Sequence, residues 1–261
     1  MKTITLMLFL ILAQSLLCAC TPQATRGEDE TGALGRQAKT PSAGEVYVKL
    51  AVAYMREGHF DIALQKAKRG LEVDPKNPRA HNIIALLYER LGETAPAREH
   101  YEQALRLDSK DPYIRNAYGS FLCAQEQFKE ALDQFEEALR NPLYQTPEVA
   151  LTNAGICAGR AGDPGRAEDY FRRALQLNPR FPTALLRMAN ISYDKANYLS
   201  ARGYLQRYLE VAPHTAETLW LGIRTERELG DLDTLASYEL LLRAEFPDSE
   251  EMRLFEESKR Q

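Results

Sequence analysis

The residue types that most often carry catalysis are sparse and scattered in this sequence of 261 residues. The four histidines show no His-x3-His spacing that would suit zinc; they are His59, His81, His100 and His214. The sequence contains no Gly-x-Ser-x-Gly elbow and no Cys-His pair with the logic of a catalytic triad. We therefore expect the histidines to be separate surface or groove residues, and we expect no enzyme, metal site or cofactor site.

A group of glycines is the stretch that comes nearest to a phosphate-binding loop. Its members are Gly155, Gly159, Gly162 and Gly165. Such a loop needs a following Lys-Ser or Lys-Thr and a preceding strand, and the sequence offers neither. Contacts between helices and a chain reversal explain these glycines better. Carboxylate pairs such as Glu136-Glu137 are expected on solvated helix faces.

Charge and composition narrow the possible functions further. The chain has 33 Lys and Arg against 37 Asp and Glu. This near-balance argues against a nucleic-acid partner, which calls for a basic surface. Hydrophobic residues make up 44% and charged residues 27% of the chain, which is ordinary for soluble globular domains. Few β-branched runs occur, which favours helices over sheet.

From Tyr47 onward the sequence repeats about every 34 residues. The clearest marker is an alanine in the second half of each unit; the markers are Ala63, Ala97, Ala131, Ala167, Ala201 and Ala236. Pro75, Pro179 and Pro213 close three of the units. The pattern resembles the tetratricopeptide repeat, which implies two amphipathic helices in each unit. One pair cannot bury its apolar stripe alone, so neighbouring pairs must stack.

We therefore predict an all-α fold, an α-α superhelix of six tandem tetratricopeptide repeats. Chain reversals between paired helices are expected at Gly58, Gly92, Gly162 and Gly230. In the third repeat, Gly119 should pack against the partner helix and Asn116 should face the groove. The predicted segments are a signal peptide (1–19), a lipidated Cys20 with a flexible tether (20–43), the repeats (44–77, 78–111, 112–147, 148–181, 182–215 and 216–250) and a polar C-terminal cap (251–261). The irregularities are a two-residue insertion at 141–146 and a weak sixth unit.

The start of the sequence predicts where the protein resides. A positive charge at Lys2 precedes a short apolar run, which is typical of a signal peptide. The ending Leu17-Cys18-Ala19-Cys20 resembles the lipobox of bacterial lipoproteins, although Cys18 stands where Ala, Ser or Val is usual. That resemblance implies acylation of Cys20; the alternative is an ordinary secretory leader. Thr21 replaces the Asp that retains lipoproteins in the inner membrane, so we expect a lipid anchor in the outer membrane, on its periplasmic face.

Cys123 and Cys157 are separated by 34 residues, which is one period of the repeat. Equivalent helices in a solenoid lie side by side, so this separation brings the two cysteines near one another. A disulfide would persist in an oxidising periplasm, and we favour that interpretation. The alternative is that both are small buried hydrophobes.

The concave face of such a superhelix is lined by residues of each first helix, at the second, fifth, ninth and twelfth positions of the repeat unit. These positions predict a partner-binding groove lined by Arg79, Asn82, Leu86, Glu89, Tyr113, Asn116, Ser120, Thr152, Ile156, Leu186, Asn190 and Tyr193. Amide side chains both donate and accept hydrogen bonds, so this mixture suits a peptide or protein partner rather than a small-molecule substrate.

Two stretches of the third and fourth repeats, Asn116–Cys123 and Leu151–Cys157, are similar to the type IV pilus biogenesis lipoproteins called PilF or PilW. The resemblance implies a pilotin without catalysis. Such a protein binds the secretin subunit, promotes its outer-membrane localisation and multimerisation, and thereby serves pili and twitching motility. Two alternatives remain: a general adaptor of the cell envelope, for peptidoglycan enzymes or outer-membrane assembly, and an enzyme with a site hidden in the groove.

Overall fold

The computed structural model describes residues 42–260. The predicted signal peptide, the lipidated Cys20 and the tether up to residue 41 lie outside the described residues. Within 42–260 no helix is long and apolar enough to cross a membrane.

Thirteen helices make up the regular structure of residues 42–260. They are α1 (Ala43–Arg56), α2 (Phe60–Val73), α3 (Pro78–Arg90), α4 (Thr94–Leu107), α5 (Pro112–Ala124), α6 (Phe128–Leu139), α7 (Pro147–Arg160), α8 (Pro164–Leu177), α9 (Pro182–Asp194), α10 (Tyr198–Leu209), α11 (Ala216–Leu229), α12 (Leu232–Glu245) and α13 (Glu250–Ser258). The first twelve form six pairs, and the first helices of neighbouring repeats also meet, as α1 does with α3 and α3 with α5. The predicted all-α repeat fold is therefore confirmed.

The starts of the first helices follow from local chemistry. Pro78 and Pro112 occupy the first turns of α3 and α5, where a missing N–H costs nothing. The preceding residues supply the caps: Asn77 Oδ1 accepts from the Ala80 N–H at 3.0 Å, and Asp111 caps α5 in the same way. These caps begin each helix where the repeat frame requires it.

The reversal between paired helices uses a left-handed residue in every repeat. The predicted glycines adopt it with φ of 81°, 79°, 82° and 73°, at Gly58, Gly92, Gly162 and Gly230 respectively. In the third and fifth repeats the same conformation falls to Glu126 (φ 61°) and Ala196 (φ 58°). A Cβ makes that conformation costly, so the turn geometry is imposed there by packing of the two helices rather than by residue choice.

Glycines inside the first helices let an aromatic ring of the second helix lie against the backbone. A Cβ added to Gly119 would stand 2.8 Å from the Phe135 ring, and one on Gly155 would stand 2.7 Å from Phe171. Both phenylalanines are buried. The prediction that Gly119 packs against its partner helix is confirmed.

The sixth repeat keeps this contact but shifts the predicted frame by two residues. Tyr238 lies against Gly222, where an added Cβ would meet the ring at 2.7 Å. Thr234 therefore stands where the other repeats have their alanine marker, four residues before the aromatic ring. Ala236, the predicted marker, is exposed. The assignment of Ala236 was wrong because a recurring alanine was weighed above the aromatic residue that it accompanies.

The apolar core divides into clusters along the array. A central cluster runs from Ala85 to Tyr208 through the second to fifth repeats, and a smaller cluster joins the first two repeats. A third cluster joins the sixth repeat to α13, whose Phe255 is fully buried against Leu219 and Leu242. The predicted polar cap is thus an amphipathic helix that begins at Glu250 and inserts an aromatic side chain into the core.

The insertion at 141–146 is a structured loop between α6 and α7. The Asn141 side chain donates to the Lys110 carbonyl at 3.0 Å, which ties the loop to the preceding repeat. Tyr144 is buried, and its ring meets Tyr113 edge-on with centroids 5.0 Å apart. Leu143 beside it is 82% exposed.

Candidate functional site

Three cavities follow the first helices of the array, where the groove was predicted. The largest, cavity A, has a volume of about 690 Å³ and lies along α1, α3 and α5. The predicted groove residues Arg79, Asn82 and Tyr113 line it. Val48 and Val52 of α1 add an apolar wall. The structure therefore brings together predicted residues from the second and third repeats, and it adds residues of the first repeat that the prediction omitted.

Cavity A carries polar groups that are available to a ligand. Arg79 pairs with Glu45 across one repeat, with Nη1 and Oε1 3.3 Å apart. The Oδ1 atom of Asn82 is buried and has no hydrogen-bond partner among residues 42–260. A buried acceptor without a partner costs free energy, and a donor from a bound chain could offset that cost only if the Asn82 side chain turned toward the cavity.

Cavity B, of about 440 Å³, lies between the fourth and fifth repeats. Ile156 and Asn190, both predicted, line it together with Phe171, and Arg160 and Arg187 line it as well. The cavity therefore combines apolar side chains with guanidinium groups, while the Asn190 Nδ2 atom already donates to the Leu186 carbonyl at 3.2 Å and to Glu217 at 3.4 Å.

Cavity C, of about 130 Å³, adjoins cavity B because Ile156 and Arg160 line both. Ser120, a predicted groove residue, lines it, as does Cys123. Next to it, the Asn153 Nδ2 atom donates to Asn116 Oδ1 at 3.0 Å. Asn116 is half-buried, and its amide nitrogen is not used in that bond.

The two cysteines of the third and fourth repeats meet beside cavity C. Cys123 on α5 and Cys157 on α7 form a disulfide, with Cα atoms 5.8 Å apart. That separation suits disulfide geometry, and both residues are buried.

The remaining predicted groove residues serve the interior or their neighbours. Thr152 is 2% exposed and donates its hydroxyl to the Glu148 carbonyl at 2.8 Å, so its placement in the groove was wrong. Leu86 and Leu186 pack against the central cluster. Cavities A, B and C are not lined by Thr152, Leu86 or Leu186.

Glu89 and Tyr193 are engaged by other side chains. Glu89 accepts a hydrogen bond from the buried Tyr101 hydroxyl at 2.9 Å. Burial, followed by the nearby Glu89 carboxylate, raises the pKa of Tyr101 far above its usual value. The Arg224 guanidinium lies 4.5 Å from the centroid of the Tyr193 ring, which is a cation–π contact. A ligand would have to displace these contacts to use either residue.

The histidines are not all separate, contrary to the sequence-based expectation. His81 and His100 both belong to the second repeat, and their Nδ1 atoms lie 3.0 Å apart across the α3–α4 pair. The repeat period does not predict this contact, because it relates equivalent positions of different repeats, whereas these two residues meet within one. Glu136 was expected to be solvated, but it accepts a hydrogen bond from Tyr170 at 2.6 Å; burial and this bond raise the pKa of Tyr170 to about 12.

This geometry defines a class of protein. Stacked helix pairs in six repeats carry a run of cavities along their first helices, lined by amide, guanidinium and aliphatic groups. A tetratricopeptide repeat model matches residues 48–112, 90–145 and 122–180, and a second such model matches 160–220. The chain is a tetratricopeptide repeat protein.

Comparison with known proteins narrows the class. The chain is 32% identical over 217 residues to the type IV pilus assembly protein PilF of Pseudomonas aeruginosa, covering 83% of this chain and 86% of that one. A solved Pseudomonas aeruginosa PilF structure superposes with a TM-score of 0.76 at 32% identity, covering 82% of this chain and 97% of that one. A crystal structure of PilW, described as a widely conserved type IV pilus biogenesis factor, gives 0.74 at 33% identity, over 83% and 99%. The chain belongs to the PilF/PilW family.

Proposed function

We propose that this protein is a type IV pilus assembly factor that binds the secretin subunit through its groove and promotes secretin multimerisation. The observation that carries the proposal is the similarity to PilF over 83% of the chain, since the relative's name states a role in type IV pilus assembly. The role is that of a scaffold, without a catalytic step.

The groove supplies a physical mechanism for capturing a partner. Cavities A, B and C follow the array from the first to the fifth repeat, so an extended segment could contact several units at once. Asn82 offers an unpaired acceptor once its side chain turns toward cavity A, and Asn190 offers its amide oxygen, since its nitrogen donates within the protein. Each repeat contributes a modest contact. Because the helices are already ordered before binding, little conformational entropy is lost when these contacts form.

An outer-membrane anchor at Cys20 completes the proposal. A lipid-anchored scaffold that holds secretin subunits at the membrane raises their local concentration where the multimer forms. Replacing Cys20 with Ser should abolish fatty-acid labelling, and replacing Thr21 with Asp should move the protein to the inner membrane. Labelled Cys20→Ser protein, or unchanged fractionation of Thr21→Asp protein, would contradict the anchor or its location.

The central experiment deletes the gene and measures heat-resistant secretin multimers in the outer membrane. We expect the multimers to disappear and to return when the wild-type gene is restored. Normal multimers after deletion would reject the secretin role and favour the general envelope adaptor.

A second experiment tests the groove itself. Asn82→Ala and Asn190→Ala, in cavities A and B, should together reduce secretin capture by the full-length protein. Gln176→Ala, on the exposed face of the second helix α8, is the matched control and should capture secretin normally. Because substitutions at partly exposed positions change stability by only about 0.5 kcal/mol, melting curves should be similar for all variants. Wild-type capture by the folded double variant would place the partner on another surface.

A further inference from the structure

The charged side chains that line cavity B all carry the same sign. They are Arg160, at the end of α7, and Arg187, on α9, and both residues are exposed. Cavity A differs, because Glu45 and Asp111 stand among its basic side chains. Two like charges at one cavity repel one another, and a bound anion would remove that repulsion.

The repeat frame does not require this pair of arginines. Arg160 stands five residues after Gly155, the small residue of its first helix, and Arg187 stands two residues before Ala189, which holds the equivalent position in the next repeat. Five such junctions join the six repeats, and in the sequence this junction alone has two cations at those positions. The other four pairs are Arg56 with Ile83, Arg90 with Ala117, Ala124 with Asn153, and Asp194 with Trp220. Helix stacking alone therefore does not account for the two arginines.

The contacts that the two guanidinium groups already make leave them able to bind a ligand. The Arg187 Nη1 atom lies 3.9 Å from Glu217 Oε1, and both side chains are about half exposed, so this ion pair is weak. The Arg160 guanidinium lies over the Phe128 ring, 5.8 Å from its centroid. Because a guanidinium carries five N–H donors, both arginines retain donors for an incoming acceptor.

Apolar side chains form much of the remaining lining of cavity B. Ile156, Phe171 and Ile191 contribute them, and the cavity has a volume of about 440 Å³. An inorganic phosphate or a sugar would gain nothing from contact with these side chains, whereas an aliphatic or aromatic side chain would bury apolar surface there. The cavity therefore fits a peptide that presents an apolar group and an anionic group together.

We propose that cavity B recognises a segment of the partner protein in which an acidic side chain lies two residues from a large apolar one. This inference rests on the proposed function, since it names the chemistry of the segment that the groove binds. In an extended segment, residues i and i+2 project to the same side. The carboxylate then accepts charge-assisted hydrogen bonds from Arg160 and Arg187, and the apolar side chain covers Ile156.

The carboxylate belongs to a side chain within the segment rather than to the C-terminus of the partner. Cavity C adjoins cavity B and shares Ile156 and Arg160 with it. A segment whose carboxylate lies between the arginines therefore has room to continue into cavity C, where Ser120 and Asn153 offer polar groups.

The test first selects peptides from a random library of twelve-residue peptides displayed on phage, with the full-length protein in detergent as the target. Bound peptides should be enriched in Asp or Glu two residues from Leu, Ile or Phe. A synthetic peptide of the most enriched sequence is then titrated by fluorescence anisotropy. It should bind Arg160→Gln/Arg187→Gln protein roughly tenfold more weakly than the wild type, because a charge-assisted contact is lost.

A double-mutant cycle shows whether the carboxylate meets these arginines. A peptide with Gln in place of its acidic residue should lose the same factor against the wild type. It should lose nothing further against the double variant, because the contact is then already absent. Arg160→Lys/Arg187→Lys keeps both charges without the planar fork and should recover part of the affinity.

Arg69→Gln/Arg172→Gln is the matched control. It removes two positive charges from the second helices α2 and α8, where each exposed arginine pairs with a glutamate of its own helix. This variant should bind the peptide like the wild type. Circular dichroism melting establishes that each variant is folded, and the single variants Arg160→Gln and Arg187→Gln replace the double variant if it is not.

The proposal is overturned if the library yields no such acidic peptide, if the folded double variant binds as tightly as the wild type, or if the control loses the same affinity. Mixed micelles with phosphatidylglycerol that displace the peptide would assign the arginines to a lipid headgroup and overturn it as well. Secretin multimers after gene deletion separate this result from the proposed function. Lost multimers without an acidic preference would reject the acidic segment and keep the pilus role, whereas normal multimers with that preference would reject secretin and keep an acidic partner.

Discussion

The third and fourth repeats on one hand and the sixth repeat on the other have the same arrangement of paired helices, but different interactions hold them to their neighbours. In both regions an aromatic ring lies on a helix glycine: Phe135 on Gly119, and Tyr238 on Gly222. The third and fourth repeats then join the central apolar cluster and are linked by the disulfide between α5 and α7. The sixth repeat has no such cross-link among the described residues.

Where the sixth repeat meets the fifth, a charged contact adds to the apolar contact of Leu205 with Gly222. Glu226 on α11 is 1% exposed, and the Arg202 Nε atom of α10 donates to its Oε1 at 3.0 Å. Arg202 also lies 3.3 Å from Asp231. Taking a carboxylate out of water is costly, so burial of Glu226 is tolerated only because Arg202 pairs with it.

The difference shows that the repeat period sets where helices lie but not what holds neighbouring pairs together. An interior pair is buried by neighbours on both sides and can rely on apolar contact. A terminal pair has fewer neighbours, and here it relies on a buried ion pair and on the Phe255 side chain of α13. The two regions should therefore respond differently to reduction, substitution and pH.

Removing the disulfide between the third and fourth repeats should have the largest effect on stability. Closing a loop of about 34 residues contributes roughly 3–4 kcal/mol to the free energy of unfolding in the chain-entropy model. Cys123→Ala/Cys157→Ala protein should lose about that much by denaturant unfolding, and mass analysis of alkylated wild-type protein should find neither thiol free. Free thiols in folded protein from the periplasm would refute the cross-link.

The ion pair of the sixth repeat comes next. Replacing Glu226 with Gln removes the charge facing Arg202 and should cost about 3 kcal/mol, as breaking one partner of a buried pair does. Hydrogen exchange should show the loss in α11 to α13, with the third and fourth repeats unaffected. Glu228→Gln, two residues away and exposed, is the control and should melt like the wild type.

Overpacking the shared glycine contact should have a smaller effect. Gly119→Leu forces the Phe135 ring to move and should cost on the order of 1–3 kcal/mol. Gly203 is the matched helical control, because a Cβ added there meets nothing within 4 Å. A Gly119→Leu variant as stable as Gly203→Leu would show that the contact is not tight.

Acidification should give the smallest effect and should destabilise only one of the two regions. Burial lowers the pKa of His214, which precedes α11, so the unfolded chain binds its proton first as the pH falls. The stability from this residue is complete above the unfolded value of about 6.5 and is lost as the pH drops through the folded value. The third and fourth repeats contain no histidine. Of these two regions, the sixth repeat should therefore show faster hydrogen exchange between about pH 7 and pH 5.5 while the third and fourth repeats stay unchanged, and His214→Gln should remove the difference.

The features of the fold that could be predicted from the sequence are those that follow from the 34-residue repeat and from the positions of its glycines. Helix pairs, four reversals and the Gly119 contact recur at fixed spacing, and local rules are enough to find them. The left-handed turns at Glu126 and Ala196 were beyond such rules, because tertiary packing overrides the residue preference there.

Contacts between side chains of different helices were harder to predict than the positions of the helices. Cavity A could be anticipated at Arg79, Asn82 and Tyr113 because equivalent positions line one face. Burial of Thr152 and the approach of His81 to His100 could not, since each depends on how far one helix of a pair is rotated against another. A sequence period contains no information on that rotation.

The helix α13 has a consequence for how long the stack can become. Six similar pairs placed end to end contain no internal reason to stop, and a bare last pair would offer its apolar stripe to the first pair of another molecule, as in a growing filament. Phe255 occupies that stripe, while Arg253 lies on the other side of α13 among Glu250 and Glu257. We therefore expect α13 to block end-to-end stacking at this end of the molecule, so that a single nine-residue helix sets the length of the stack.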